Sequence, residues 1–161
     1  MQALAISPGY AADHTLFAGT DGGGIFKTTN GGTSWSAVNT GLTTLGVQTL
    51  ALSPDFASDQ TLFAGTWSGG VFKSTNGGST WSAANSGLTD PNVQALVISS
   101  GFGSDQTLYA GTLGGVFKSN NGAASWSAMN TGLGNLQVQA LDLSPTSPQT
   151  LFAGTWASGV W

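Results

Sequence analysis

One pattern recurs along this chain and limits what it can fold into. It reads TLFAGTDGGGIFKTTNGGTSW at 15–35 and TLFAGTWSGGVFKSTNGGSTW at 61–81. It returns as TLYAGTLGGVFKSNNGAASW at 107–126, and a fourth copy, TLFAGTWASGVW, occupies 150–161. Each complete copy holds two short apolar runs joined by a Gly-rich turn, then an Asn-Gly turn leading to a tryptophan. Asn-Gly between apolar runs is a strong short-range hairpin signal, because both turn positions need positive φ. A unit this small cannot bury a face alone, so the copies must stack on one another.

The period identifies the architecture. Gln2, Gln48, Gln94 and Gln139 recur at intervals of 46, 46 and 45 residues, with four strand signals per unit. Periods of 40–50 residues with four strands point to propeller blades. A β-helix is the alternative, but it usually has much shorter rungs and no recurring hairpin turn. The expected fold is therefore all-β, with antiparallel four-stranded blades at 1–46, 47–92 and 93–137 and a partial fourth at 138–161. First strands are expected at Ala3–Ser7, Thr49–Ser53, Ala95–Ser99 and Ala140–Ser144, apolar on both faces in most copies, as suits an inner strand. Second strands follow at 16–20 and its equivalents, with Ala-Gly in their middle (Ala18-Gly19, Ala64-Gly65, Ala110-Gly111, Ala153-Gly154), so neighbouring sheets can approach closely. Third strands are expected at Ile25–Thr28, Val71–Ser74 and Val116–Ser119. Fourth strands should run from Trp35, Trp81 and Trp126 to Asn39, Asn85 and Asn130.

Composition removes several functions. The 161 residues carry no Cys and no Arg, and all seven acids are Asp. Disulfides and thiolate metal sites are excluded, and no metal or cofactor is expected. With three lysines and a formal charge of −4, the chain lacks the cationic surface that phosphate backbones require, which argues against nucleic-acid binding. No apolar run approaches the roughly 20 residues of a membrane span. The opening MQALAISP reads as a strand, without the basic region or small-residue cleavage site of a signal peptide.

The segment Thr28-Thr29-Asn30-Gly31-Gly32-Thr33-Ser34-Trp35 resembles the Asp-box, the S/T-x-D-x-G-x-x-W hairpin of bacterial-neuraminidase-type repeats. Ser74, Asn76, Gly78 and Trp81 match it equally well. So do Ser119, Asn121 and Trp126, although Ala123 takes the second glycine position and a different turn is expected there. All three copies have Asn where that family usually has Asp. Asn still supports an Asx-turn and tolerates left-handed φ. The resemblance implies a propeller of the sialidase-like and sortilin-like kind, in which this hairpin is structural and usually lies opposite the ligand face. It also implies export to the cell surface or exterior. The family spans sialidases, xyloglucan-degrading enzymes, receptors and assembly factors, so it does not fix an activity.

Sialidase chemistry needs an arginine cluster and a Tyr–Glu pair, and this chain has neither Arg nor Glu. Two Asp residues can serve other glycosidases. Asp13, Asp59 and Asp105, however, recur at one repeat position and read as turn formers. Asp21, Asp55, Asp90 and Asp142 are copy-specific. Asp142 is the most unusual, replacing Ala5, Ala51 and Val97 on an inner strand; the preferred reading is a carboxylate left exposed by the unfinished blade. His14 stands alone in a polar loop. Lys27, Lys73 and Lys118 recur beside the hairpin turn and could pair with the recurrent Asp residues.

Two loop sets vary between copies and are expected on the face away from the Asn-Gly turns. Between second and third strands stand Asp21, Trp67, Leu113 and Trp156. After the fourth strand come TTLG (43–46), TDPN (89–92) and GNLQ (134–137). Trp67 and Trp156 could stack on sugar rings, with Asp90, Asn92 and Asp21 as polar contacts. They could instead pack across blade boundaries or line a protein contact. The leading expectation is a non-catalytic module that binds glycan or protein, or is structural and self-assembling; a glycoside hydrolase fragment is the alternative. Apolar end faces must be covered. A ring-closing dimer is the first expectation, with a filament or further blades of a longer chain as the others.

Overall fold

The computed structural model describes residues 1–145, 149–157 and 159–161. The first blade holds β1 (Ala3–Ile6), β2 (Leu16–Thr20), β3 (Gly24–Thr28) and β4 (Ser36–Ala37). The second holds β5 (Val47–Leu52), β6 (Leu62–Thr66), β7 (Gly70–Ser74) and β8 (Ser82–Ala83). The third holds β9 (Val93–Ile98), β10 (Leu108–Thr112), β11 (Gly115–Ser119) and β12 (Ser127–Ala128). The fourth has β13 (Val138–Leu143), β14 (Leu151–Thr155) and β15 (Gly159–Val160). Each sheet is an antiparallel meander in chain order. The protein is thus three complete propeller blades and a partial fourth.

Successive blades stack through their inner strands. The second strand carries glycine because the next blade leaves no room for a side chain. A Cβ on Gly19 would lie 2.7 Å from Val47 Cγ1, and one on Gly65 would lie 2.6 Å from Val93 Cγ1. Gln48, Gln94 and Gln139 fall where the register of the inner strand slips by one residue, which identifies them as bulge residues. The buried clusters straddle the boundaries. Phe17 and Ile25 of the first blade pack with Val47, Phe56, Leu62 and Phe72 of the second.

The strand bounds are corrected first. The inner strands of the second to fourth blades begin at Val47, Val93 and Val138 and end at Leu52, Ile98 and Leu143, so they start earlier and stop short of the serines. The inner strands of the first three blades are each followed by one helical turn that the pattern did not announce: α1 (Tyr10–Asp13), α2 (Phe56–Asp59) and α3 (Phe102–Asp105). The fourth strands are two residues long and do not extend from Trp to Asn. Asn39 leaves the ladder because its side chain replaces it: Oδ1 accepts from Ile25 N at 2.7 Å and Nδ2 donates to Gly23 O. Asn85 and Asn130 do the same with Val71 and Val116.

The tryptophans of the second and third blades bind the preceding blade. Trp81 N donates to Thr40 O and its indole Nε1 to Val38 O, both at 2.8 Å. Trp126 repeats this with Ser86 O and Ala84 O. Gly41 permits that approach, since with φ at +92° a Cβ there would fall 2.1 Å from Trp81 O. Trp35, in the first of the described blades, is 39% exposed, against 3% for Trp81.

Nor does the third Asn-Gly turn differ. Ala123 takes the left-handed conformation at φ 68°, and its N–H donates to Ser119 Oγ at 3.0 Å, as Gly78 N does to Ser74 Oγ. The cost of an L-residue there is about 1–2 kcal/mol, and it is accepted in a buried position of the core.

Trp81→Ala is expected to destabilise the protein by about 3–5 kcal/mol in chemical denaturation, and Trp35→Ala by about 1 kcal/mol or less. Equal losses would place the tryptophan's role inside its own hairpin.

Candidate binding face

Two faces of the array are built from different loops. On one lie the helical turns and the Asn-Gly hairpins, held together by Gly31 N donating to His14 O and Gly77 N to Gln60 O. Here Thr28 Oγ1 donates to Asn30 Oδ1 and accepts from Gly32 N, and Asn30 Oδ1 also accepts from Ser34 N. Ser74 with Asn76 and Ser119 with Asn121 repeat the arrangement. The recurring aspartates are consumed in the same way. Asp59 accepts from Ser53 Oγ at 2.6 Å and Thr61 N at 2.8 Å, and Asp13 and Asp105 hold the matching partners. These bonds make Asp13, Asp59 and Asp105 turn formers.

The lysines depart from expectation. Lys27 Nζ donates across the boundary to Gly77 O, and Lys73 Nζ to Gly122 O, both at 2.9 Å. Each also lies over an aromatic ring of its own blade, Phe17 or Phe63. Burial pulls the Lys27 ammonium below its ordinary range, offset in part by Asp13. A carbonyl of the next blade is the partner, while each recurrent aspartate accepts from the Ser hydroxyl and Thr N–H of its own turn. His14 ends α1 with left-handed φ and sets its ring edge-on to Tyr10 at 5.6 Å. Among the described residues no group of three His, Cys, Asp or Glu is placed to hold a metal.

The opposite face carries the variable loops, and backbone bonds join them into one arc. Gly22 N and Gly24 N donate to Leu45 O, and Trp67 N donates to Gly46 O at 2.8 Å. The loop after the first blade's last strand is thereby clasped between Asp21 and Trp67. Gly70 N donates to Pro91 O and Leu113 N to Asn92 O. Trp156 N donates to Gln137 O, while Asn135 Nδ2 reaches Trp156 O.

The candidate residues fall into two groups on this arc. Trp67 and Trp156 have tied backbones but free side chains, 50% and 64% exposed. Packing across the boundary therefore leaves both indoles largely open to solvent. Asp21 is exposed and bridges to Gly46, the residue that holds Trp67. Asp90 is occupied: Oδ1 accepts from Asn92 N at 2.8 Å and Asn92 Nδ2 at 2.9 Å, so the two residues brace their own loop. Sequence reasoning missed Leu45 and Leu136, both exposed on this face. Each immediately precedes the residue whose carbonyl holds a tryptophan loop. The available signal was that Leu accompanies the Trp copies, while Pro91 accompanies Leu113. Asp142 is exposed, with Oδ1 accepting from Leu143 N at 2.9 Å.

No protein-family profile and no curated protein sequence matches the chain. Solved structures do. An ancestral GH74 enzyme superposes with a TM-score of 0.76 at 22% identity, over 99% of this chain and 22% of that one. The GH74 xyloglucanase from Xanthomonas campestris gives 0.71 at 16%, over 99% and 28%. The computationally designed Ika4 protein gives 0.63 at 18%, over 99% and 89%. The likeness is one of fold. This chain spans only 22% and 28% of the two GH74 chains.

Asp13 yields a pH prediction. Burial pushes its carboxyl up, but hydrogen bonds from Ser7 and Thr15, with the charge of His14, outweigh burial and hold it below its ordinary 3.8. A depressed carboxylate stabilises the fold fully above the unfolded value and loses that contribution as pH falls through the folded one. Asp13→Asn should therefore lower stability at neutral pH and flatten its decline between pH 4 and pH 2, measured by urea midpoints. An unchanged slope would show that the Ser7 and Thr15 bonds do not favour the charged form.

Proposed function

We propose that this protein is a non-catalytic propeller module of the Asp-box type that works outside the cell and binds a glycan through its loop face. The observation that carries this reading is the pair of indoles at Trp67 and Trp156. Their backbones are fixed by the preceding loop and their rings are half or more open to water. A rigid aromatic surface held this way suits the apolar face of a sugar ring at little entropic cost. Leu45 and Leu136 extend the apolar surface beside them, and Asp21 adds a hydrogen-bond acceptor. Membership of the Asp-box repeats would place the hairpin face opposite the ligand, in keeping with its saturated hydrogen bonding.

The competing reading is a piece of a glycoside hydrolase, and the fold likeness to GH74 enzymes favours considering it. Hydrolysis requires two carboxyl groups about 5–10 Å apart across the scissile bond. On the loop face the acids are Asp21, on the first blade, and Asp90, whose Oδ1 is taken by Asn92. That arrangement supports binding over cleavage.

Affinity electrophoresis in gels containing xyloglucan, cellulose derivatives or mannan provides the test. At least one polysaccharide should retard the chain, and Trp67→Ala or Trp156→Ala should weaken retention about tenfold or more, the equivalent of some 1.4 kcal/mol. Retention unaffected by both substitutions would move the site elsewhere. Release of reducing ends, abolished by Asp142→Asn, would establish the hydrolase reading instead.

A further inference from the structure

The blade boundaries repeat one joint, and the two ends of the array carry its unmatched halves. At the first boundary Phe17 meets Phe56 edge to face, with ring centroids 5.7 Å apart; at the second, Phe63 meets Phe102 at the same distance. At the third, Tyr109 and Val116 pack with Val138, Leu141, Leu151 and Ala153. A blade with a reduced outer edge therefore still makes the joint through its inner strands.

At the leading face of the first blade, Leu4 and Ile6 lie open. Their counterparts Leu50, Leu52, Leu96 and Ile98 pack into the boundary clusters. At the trailing face of the fourth blade, Phe152 and Val160 lie open, whereas Phe17, Phe63, Ile25 and Val71 at the same repeat positions are fully buried. Tyr10 stands where Phe56 and Phe102 receive the aromatic ring of the blade before. Ile6 is 57% and Phe152 46% exposed, so the chain does not close on itself.

We propose that a second copy of this chain joins these halves, its Phe152 seating on Tyr10 and its Val160 on the first-blade face beside Leu4 and Ile6, so that two chains close one ring of eight blade positions. The occupant follows from continuity with the internal joints: the surface that complements Leu4 and Ile6 is present on the same molecule, at its other end. The joint is heterologous, so it must either close or propagate. Closure at two copies keeps the ring within the 4–8 blades that propellers use, and three copies would exceed it. Asp142 stands at this edge in place of Ala51. It lines a groove of about 290 Å³ along the inner strands with Val97 and Leu96, and in the ring that groove opens on the central channel, which leaves the carboxylate hydrated.

Size-exclusion chromatography with light scattering on the 161-residue chain tests the proposal. The expected result is a single species of twice 16.2 kDa. Ile6→Asp and Phe152→Asp should each halve that mass while leaving the far-ultraviolet circular dichroism unchanged, because both side chains are exposed in the single chain. A monomeric wild type overturns the proposal, and so do large open assemblies. Persistence of the dimer in either variant overturns it as well, since a head-to-head contact would tolerate one of the two substitutions.

Discussion

The indole N–H of Trp81 and the carbonyl of Val38 belong to different blades, and much of the fold depends on bonds of that kind. A four-stranded blade has two apolar faces and too few residues to bury either. Stacking buries the faces, but apolar contact alone is non-directional. The tryptophan, its backbone N–H and the lysine of the preceding blade fix the angle and register of the stack by donating to carbonyls across the boundary. Gly41 and Gly87 are required by the same geometry, because any side chain there would collide with the tryptophan backbone. A chain with so few charges can be specified in this way because its boundaries are set by a few directed hydrogen bonds to carbonyls and by close packing.

That arrangement divides the two faces of the array. On the hairpin face the polar side chains are committed: Asn30 closes its turn, Asp13 closes the turn after β1, and Lys27 reaches the next blade. Most of this bonding recurs from copy to copy, although His14, Gln60 and Gln106 differ at one shared position. On the loop face the bonds between blades run mainly between backbone atoms, so most side chains can change without loss of structure. Asp21, Trp67, Leu113 and Trp156 occupy one backbone position with three different chemistries. Side chains have room to vary where the fold is held by the main chain.

The sequence made the repeat, the sheets and the inner position of the Ala-Gly strands legible, because each depends on spacing or on a residue with few alternatives. It did not reveal the two-residue outer strands. Asn39 looks like the end of a strand in sequence, yet its side chain imitates a strand neighbour and terminates the ladder. The direction of the tryptophan was hidden too, since a periodic pattern gives the unit but not which copy a side chain reaches. Ala123 concealed a left-handed turn that its neighbours Ser119 and Asn121 enforce through their hydrogen bonds. The site was legible only in part: Trp67 and Trp156 stood out by chemistry, whereas the occupation of Asp90 by Asn92 needed coordinates.

The loop face carries one further regularity that composition alone would not expose. Leu45 and Leu136 precede the residues that hold Trp67 and Trp156, and Pro91 precedes the one that holds Leu113. The pairing crosses a blade boundary each time, because the loop belongs to one blade and the tryptophan to the next. An exposed Leu beside an exposed Trp has no role in burying the core, and a proline would stiffen either loop equally well. The copies therefore differ in a correlated way at positions that stacking leaves free. Such correlation is expected where two loops form a single surface. On this face, as in the stacking, neighbouring blades meet in shared junctions, and it is at those junctions that the copies differ.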